Sequence, residues 1–142
     1  MMYVHDLMTT GLLTLSPTDT LKDARALMAQ AHIRHIPIID EHGYLCGLVT
    51  HRDLLMASVS LFADVQANEQ DEIDAGIPLH AVMLKDITTV DANSLLRDAA
   101  ELLLNHKFGC LPVMQGDKLV GIVTEADFLK MAIRLLDAVT LH

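Results

Sequence analysis

The sequence predicts an α+β fold made of two like units, each running strand, helix, strand, strand, helix. Three observations carry that expectation. The chain matches itself when slid by 75 positions. Each half holds apolar residues at helical spacing, interleaved with short apolar runs of strand length. Neither half is long enough to bury much apolar surface alone, so the two must pack together, sheet on sheet or helices across sheets.

The repeat is read directly. His5-Asp6-Leu7-Met8 falls on His80-Ala81-Val82-Met83, Thr14-Leu15 on Thr89-Val90, and Leu21-Lys22-Asp23-Ala24 on Leu96-Arg97-Asp98-Ala99. Ile36-Pro37-Ile38 falls on Leu111-Pro112-Val113. After a one-residue deletion, Gly47-Leu48-Val49-Thr50-His51-Arg52-Asp53 falls on Gly121-Ile122-Val123-Thr124-Glu125-Ala126-Asp127. The units are 4–62 and 79–139, with 63–78 between them.

Each unit opens with an extended segment, Leu12 to Leu15 or Ile87 to Val90. A helix follows. In the first unit Thr20-x-x-Asp23 suits a capping box, and Leu21, Ala24, Leu27, Met28 and Ala31 share one face. Leu95 replaces Thr20 in the second unit, so Asn93 or Ser94 is expected to cap there. Next come a strand containing Pro (Ile36 to Ile39, Leu111 to Met114), a tight turn, a second strand (Leu45 to Val49, Leu119 to Val123) and another helix. The segment from Asp64 to Gly76 carries five acids and no base. It reads as a solvated linker that continues a helix from Leu54 and then frays.

Composition narrows the function. Hydrophobic residues are 51% of the 142 and charged residues 20%, which supports a globular core. Ten Lys and Arg stand against 19 Asp and Glu, a net charge of −9. Such a chain repels phosphate polymers and anionic lipid, so neither nucleic acid nor a membrane surface is expected as a partner. The longest nearly apolar run, Leu54 to Ala63, is too short to span a bilayer. The N-terminal residues show no signal-peptide pattern, and Cys46 and Cys110 form no disulfide framework, so a cytoplasmic location is expected.

The Gly-x-x-Thr-x-x-Asp segments are the chemical candidates. Each is a strand ending in Thr, with a helix beginning at once and Asp three residues on. Thr and Asp at that spacing cap a helix. The same helix start offers free N–H groups and a positive dipole end to an anion. A carboxylate there repels phosphate but accepts hydrogen bonds from two adjacent hydroxyls, the pair a ribose supplies.

The doubled pattern of Thr14 or Thr89, Pro37 or Pro112 in an apolar strand, and Gly-x-x-Thr-x-x-Asp resembles a tandem pair of CBS domains, also called a Bateman module, over about 4 to 135. The resemblance implies a pseudo-two-fold pair of α+β units with clefts between them. It implies a regulatory module binding AMP, ADP or ATP, with S-adenosylmethionine as an alternative. By the resemblance Asp53 and Asp127 hold ribose, and Thr50 and Thr124 help hold phosphate. Thr14-Leu15 and Thr89-Val90 read the adenine edge, and Ile36-Pro37 and Leu111-Pro112 wall the base, with His35 and Cys110 just before that wall.

The two sites differ where phosphate would sit. The first has Arg34, His35, His51 and Arg52; the second has Gly109, Cys110, Glu125 and Ala126, with Lys107 nearby. His32-x-x-His35 is the one close histidine pair and lacks the company of a metal site, so no metal is expected. No nucleophile has a recognisable base partner, so catalysis is not expected either. The expected protein is a sensor of adenine nucleotides that forms a homodimer, or a larger even oligomer, and acts in trans on a further protein. The competing expectation is a ligand-free interaction or dimerisation module.

Overall fold

The computed structural model describes residues 1–59, 67–106 and 109–140, without the side chains of 58, 59, 67 and 68. Lys107, Leu61, Phe62 and Asp64 lie outside the described residues, as does the stretch where the helix from Leu54 was expected to continue.

Contacts divide the chain into two compact units, Leu13–Ile87 and Met1–Leu12 with Thr88–His142. These cut the chain differently from the sequence repeat. The segment leading into each repeat packs on the sheet of the other, so each compact unit is assembled from both.

In the Leu13–Ile87 unit, α1 (Leu21–Ala31) precedes an antiparallel pair, β1 (His35–Ile39) and β2 (Leu45–Thr50). Leu15 lies parallel to β1, its N–H donating to the Pro37 carbonyl at 3.2 Å and its carbonyl accepting from Ile39 N–H at 3.0 Å. Helix α2 (His51–Val59) follows β2 without a break, and α3 (Ala67–Ala75) lies between the repeats. The leader that opens the second repeat forms a 3-10 turn, Leu79–Ala81, and then Leu84 pairs with Leu48. Leu79 is fully buried with Leu21, Ala24, Ile36, Ile38 and Val49.

The other unit repeats the plan. Its β3 (Val90–Asp91) runs parallel to β4 (Cys110–Gln115), which pairs antiparallel with β5 (Lys118–Thr124). Helix α4 (Leu96–Asn105) precedes β4, and α5 (Glu125–Thr140) follows β5. The first leader supplies the 3-10 turn Val4–Asp6, and Thr9 pairs with Ile122. Val4 is fully buried with Ala99, Leu111, Val113 and Val123.

The glycine of each Gly-x-x-Thr-x-x-Asp segment makes this docking possible. A Cβ on Gly121 would lie 2.6 Å from the Met8 sulfur and 3.0 Å from the Thr9 carbonyl oxygen. A Cβ on Gly47 would fall onto the Met83 side chain. A strand glycine here permits close approach of a second segment.

Two sequence expectations are corrected. Helix α4 is capped by neither Asn93 nor Ser94: its N-cap is Leu95, with no side-chain bond, and Leu96 N–H donates to the Met2 carbonyl at 2.9 Å. The leader's backbone takes the role a side chain would have had. In the other unit the same leader bond runs from Leu21 N–H to Ile77 O at 3.0 Å, in addition to the expected Thr20–Asp23 box. The inter-repeat segment is also more than a solvated spacer. It forms α3, and Asp74 on it is buried, because Arg25 of α1 reaches it with the base the segment lacks.

Candidate functional site

Three backbone segments run together along β1. Thr14-Leu15 flanks one edge; on the other, Thr50, the last residue of β2, is paired with His35. Helix α2 begins immediately after Thr50, and His51 N–H donates to the Arg34 carbonyl at 2.8 Å. The second unit has the same convergence: Val90 pairs with Val113, Thr124 pairs with Cys110, and Glu125 N–H donates to Gly109 O at 3.2 Å.

Asp53 closes a capping box. Its Oδ2 accepts from Thr50 N–H at 2.8 Å and from the Thr50 hydroxyl at 3.0 Å, and Asp53 N–H donates to Thr50 Oγ1 at 3.2 Å. Asp127 does the same through Oδ2, with Thr124 N–H at 2.9 Å and a return bond at 3.2 Å. Among the described residues no bond is made to Oδ1 of either acid. Both carboxylates are half-buried, so one oxygen of each is held by the cap while the other stays open. A carboxylate has about four lone-pair sites, so capping and ligand binding do not compete for the same capacity.

The helix starts are less open to an anion than the sequence suggests. Of the first three amides of α2, those of His51 and Asp53 are already engaged, and the same holds for Glu125 and Asp127 of α5. An anion therefore meets one amide, of Arg52 or Ala126, rather than an open N-terminus. Side chains must carry most of any phosphate binding. Arg34, His51 and Arg52 are all exposed, and among the described residues neither arginine forms an ion pair. The second unit has Gly109, Glu125 and Ala126 there, but the Thr124 hydroxyl proton is not taken up by Asp127.

The predicted wall residues divide by face. Side chains alternate along a strand. Ile36 and Leu111 point into the two cores and are fully buried, which gives them a packing role. Pro37 and Pro112 lie on the opposite face with His35 and Cys110, and both prolines are buried as well. Burial pushes the Cys110 thiol up to about 12. Among the described residues no cluster of metal-ligating side chains is found, and no helix is long and apolar enough to cross a membrane.

The Thr20–Asp23 pair makes the same kind of box at α1, with no counterpart in the second repeat. The box alone therefore marks a helix start. Recurrence at Thr50–Asp53 and Thr124–Asp127, at the same convergence in each unit, is what distinguishes the site.

Comparison with known proteins agrees with that recurrence. The family model for the CBS domain matches twice, over residues 4–60 and 79–134. The chain belongs to the CBS domain family. Its relatives include the CBS domain-containing protein YhcV of Bacillus subtilis, 33% identical over 124 residues, covering 87% of this chain and 81% of that one. A longer relative, MJ1404 of Methanocaldococcus jannaschii, is 30% identical, and the chain spans 31% of its length. Among solved structures, the AcuB protein of Vibrio cholerae superposes with a TM-score of 0.80 at 40% identity, over 100% of this chain and 98% of that one. CBSX2, crystallised in complex with AMP, superposes with a TM-score of 0.77 at 29% identity, over 94% and 97% of the two chains.

The sequence reading missed two features of this CBS pair. Arg25 lies on the core-facing side of α1 between Leu21 and Met28, and a charged residue at that helical spacing was the available signal. The methionines of the two His-x-x-Met leaders recur in the repeat, yet nothing local shows that each seats on the other repeat's glycine.

Proposed function

We propose that this CBS pair is a regulatory sensor that binds adenine nucleotides at the Thr50–Asp53 and Thr124–Asp127 positions and passes its state to a protein partner in trans. The carrying observation is the open Oδ1 of Asp53 and of Asp127, beside a threonine, at the same place in two units. A carboxylate held in place by its own cap is set to accept the paired hydroxyls of a ribose. The AMP complex of CBSX2 supports the choice of ligand class. On this reading Thr14, Leu15, Thr89 and Val90 contribute backbone to the base, and Pro37, Pro112, His35 and Cys110 flank it. The protein is a binding module rather than an enzyme, it works in the cytoplasm, and it forms a homodimer.

The two sites are unequal. Arg34 and Arg52 put positive charge near Asp53, whereas Glu125 adds negative charge beside Asp127. ATP therefore prefers the Asp53 site, and ligands with little phosphate charge, adenosine or S-adenosylmethionine, discriminate less. The test is thermal unfolding with a panel of AMP, ADP, ATP, adenosine and S-adenosylmethionine. Ligand at 100 times its dissociation constant adds about 2.7 kcal/mol of stability. No shift with any of them favours the ligand-free interaction module. ATP titrated separately into Asp53→Ala and Asp127→Ala should lose more affinity in the first; equal losses contradict the inequality.

A further inference from the structure

A buried carboxylate and the arginine paired with it tie together three helices of the Leu13–Ile87 unit. Asp74 of α3 is 1% exposed. Its Oδ2 accepts from Arg25 Nε of α1 at 2.5 Å, and its Oδ1 accepts from Gln70 Nε2, one turn earlier on α3, at 2.6 Å. The same guanidinium donates through Nη2 to the Leu54 carbonyl, in the first turn of α2, at 3.3 Å. Leu54 follows Asp53 directly, and Leu54 is itself buried. Arg25 thus joins α3 to the turn of α2 that carries the candidate ligand carboxylate.

The repeat shows this arrangement to be one-sided. Shifted by 75, Arg25 falls on Ala100, and the arginine that α4 carries, Arg97, pairs with Asp98 and Glu101 of its own helix. Among the described residues the Asp127 unit shows no counterpart of the Arg25 bond to the first turn of the helix that carries its acid.

A buried charge pair with both carboxylate oxygens satisfied behaves as a complete network or a broken one, because a half-made network leaves an uncompensated charge in the interior. Such elements have discrete arrangements that a ligand can bias. We propose that the Arg25–Asp74–Gln70 cluster couples the Asp53 site to α3, so that α3 is the element that reports nucleotide occupancy and the Asp127 site is silent toward it. This rests on the nucleotide-binding reading above and adds a direction to it: the output leaves through the helix between the repeats. Arg25 acts here as a positioning residue, since it holds the backbone beside Asp53 rather than touching ligand.

Linkage makes the coupling reciprocal. If nucleotide at Asp53 steadies α3, then loosening α3 must weaken nucleotide at Asp53 by the same factor, and leave Asp127 alone.

The experiment is amide hydrogen exchange on the full chain with AMP, after calorimetric titration of AMP into each protein. AMP should slow exchange in α3 by about fivefold or more, the lower end of ordinary coupling factors. That protection should persist in Asp127→Ala and vanish in Asp53→Ala. In the Asp127→Ala background, Asp74→Asn should weaken AMP by up to the same factor, reached when the substitution opens α3 completely. Because Asp74→Asn removes the buried carboxylate charge that faces Arg25 and can unfold the unit, Gln70→Leu serves as the second variant; it removes one hydrogen bond and keeps the ion pair. AMP bound at Asp53 with α3 exchange unchanged overturns the coupling, as does unchanged affinity in a folded Gln70→Leu protein whose α3 exchanges faster. Equal protection from either site overturns the one-sidedness. If the titration shows no AMP binding to the wild type, the nucleotide reading falls first and the coupling with it.

Discussion

Asp53 and Asp127 each give Oδ2 to a helix cap and keep Oδ1 open, and that division sets what their loss should cost. Removing a cap costs about 0.5–2 kcal/mol. Asp53→Ala should therefore still unfold cooperatively, with its midpoint lowered by no more than that cost implies; a chain that is unfolded at room temperature would show the acid to be a core requirement instead. Cys110 gives a second residue-level expectation, through pH. Its thiol is raised from 9.0 to about 12 by burial, while the unfolded chain ionises near the ordinary value. The folded state binds the proton more tightly, so this stabilisation is complete below about pH 9 and is lost as pH rises toward 12. The slope is about 1.4 kcal/mol per pH unit within that window. Denaturant melts between pH 8 and 11 should show the decline in the wild type and a flatter curve in Cys110→Ala. Parallel curves would place the thiol in contact with water.

The elements differ in how far sequence alone reveals them. The helices and hairpins of both repeats were legible because their signals are local: apolar spacing, a strand proline, a turn glycine, a Thr-x-x-Asp start. What was not legible depends on distant backbone. The cap of α4 is the Met2 carbonyl, and no property of Asn93 or Ser94 announces that a segment from the chain start will arrive there first. Asp74 looks like one acid among several until Arg25, 49 residues earlier, is placed beside it. The site showed the same split. Asp53, Thr50 and their repeats were readable from spacing, whereas the engagement of the first helix amides by Arg34 and Gly109 carbonyls was not. Leader docking gives the prediction at this scale. Gly47→Ala overpacks the seat of Met83 and should cost about 1–3 kcal/mol. Combined with Met83→Ala, the total loss should fall short of the sum of the single losses by at least about 0.5 kcal/mol. Strict additivity in urea melts would mean that the two residues do not share a contact.

At the scale of the whole molecule, α5 carries more apolar surface than its own unit covers. Leu129, Ile133 and Leu136 recur on one helical face and are 66%, 59% and 65% exposed. Burying one such side chain is worth about 1.5–3 kcal/mol, so a shared face on this helix can hold two copies together. Sedimentation should find a species of twice 15.6 kDa at tens of micromolar, and Ile133→Asp should shift it to the monomer; a wild-type monomer at that concentration contradicts the homodimer. Assembly and sensing should be separable, because Ile133 lies six residues along α5 from Asp127. The central proposal is that those two carboxylates hold the ribose of an adenine nucleotide. Calorimetric titration of AMP into the wild type, and into a folded Asp53→Ala/Asp127→Ala chain, tests it most directly. Each lost charge-assisted hydrogen bond should remove about 1.5–3 kcal/mol of affinity, so binding should be saturable in the first and absent from the second. AMP binding of undiminished affinity to the double variant would contradict it.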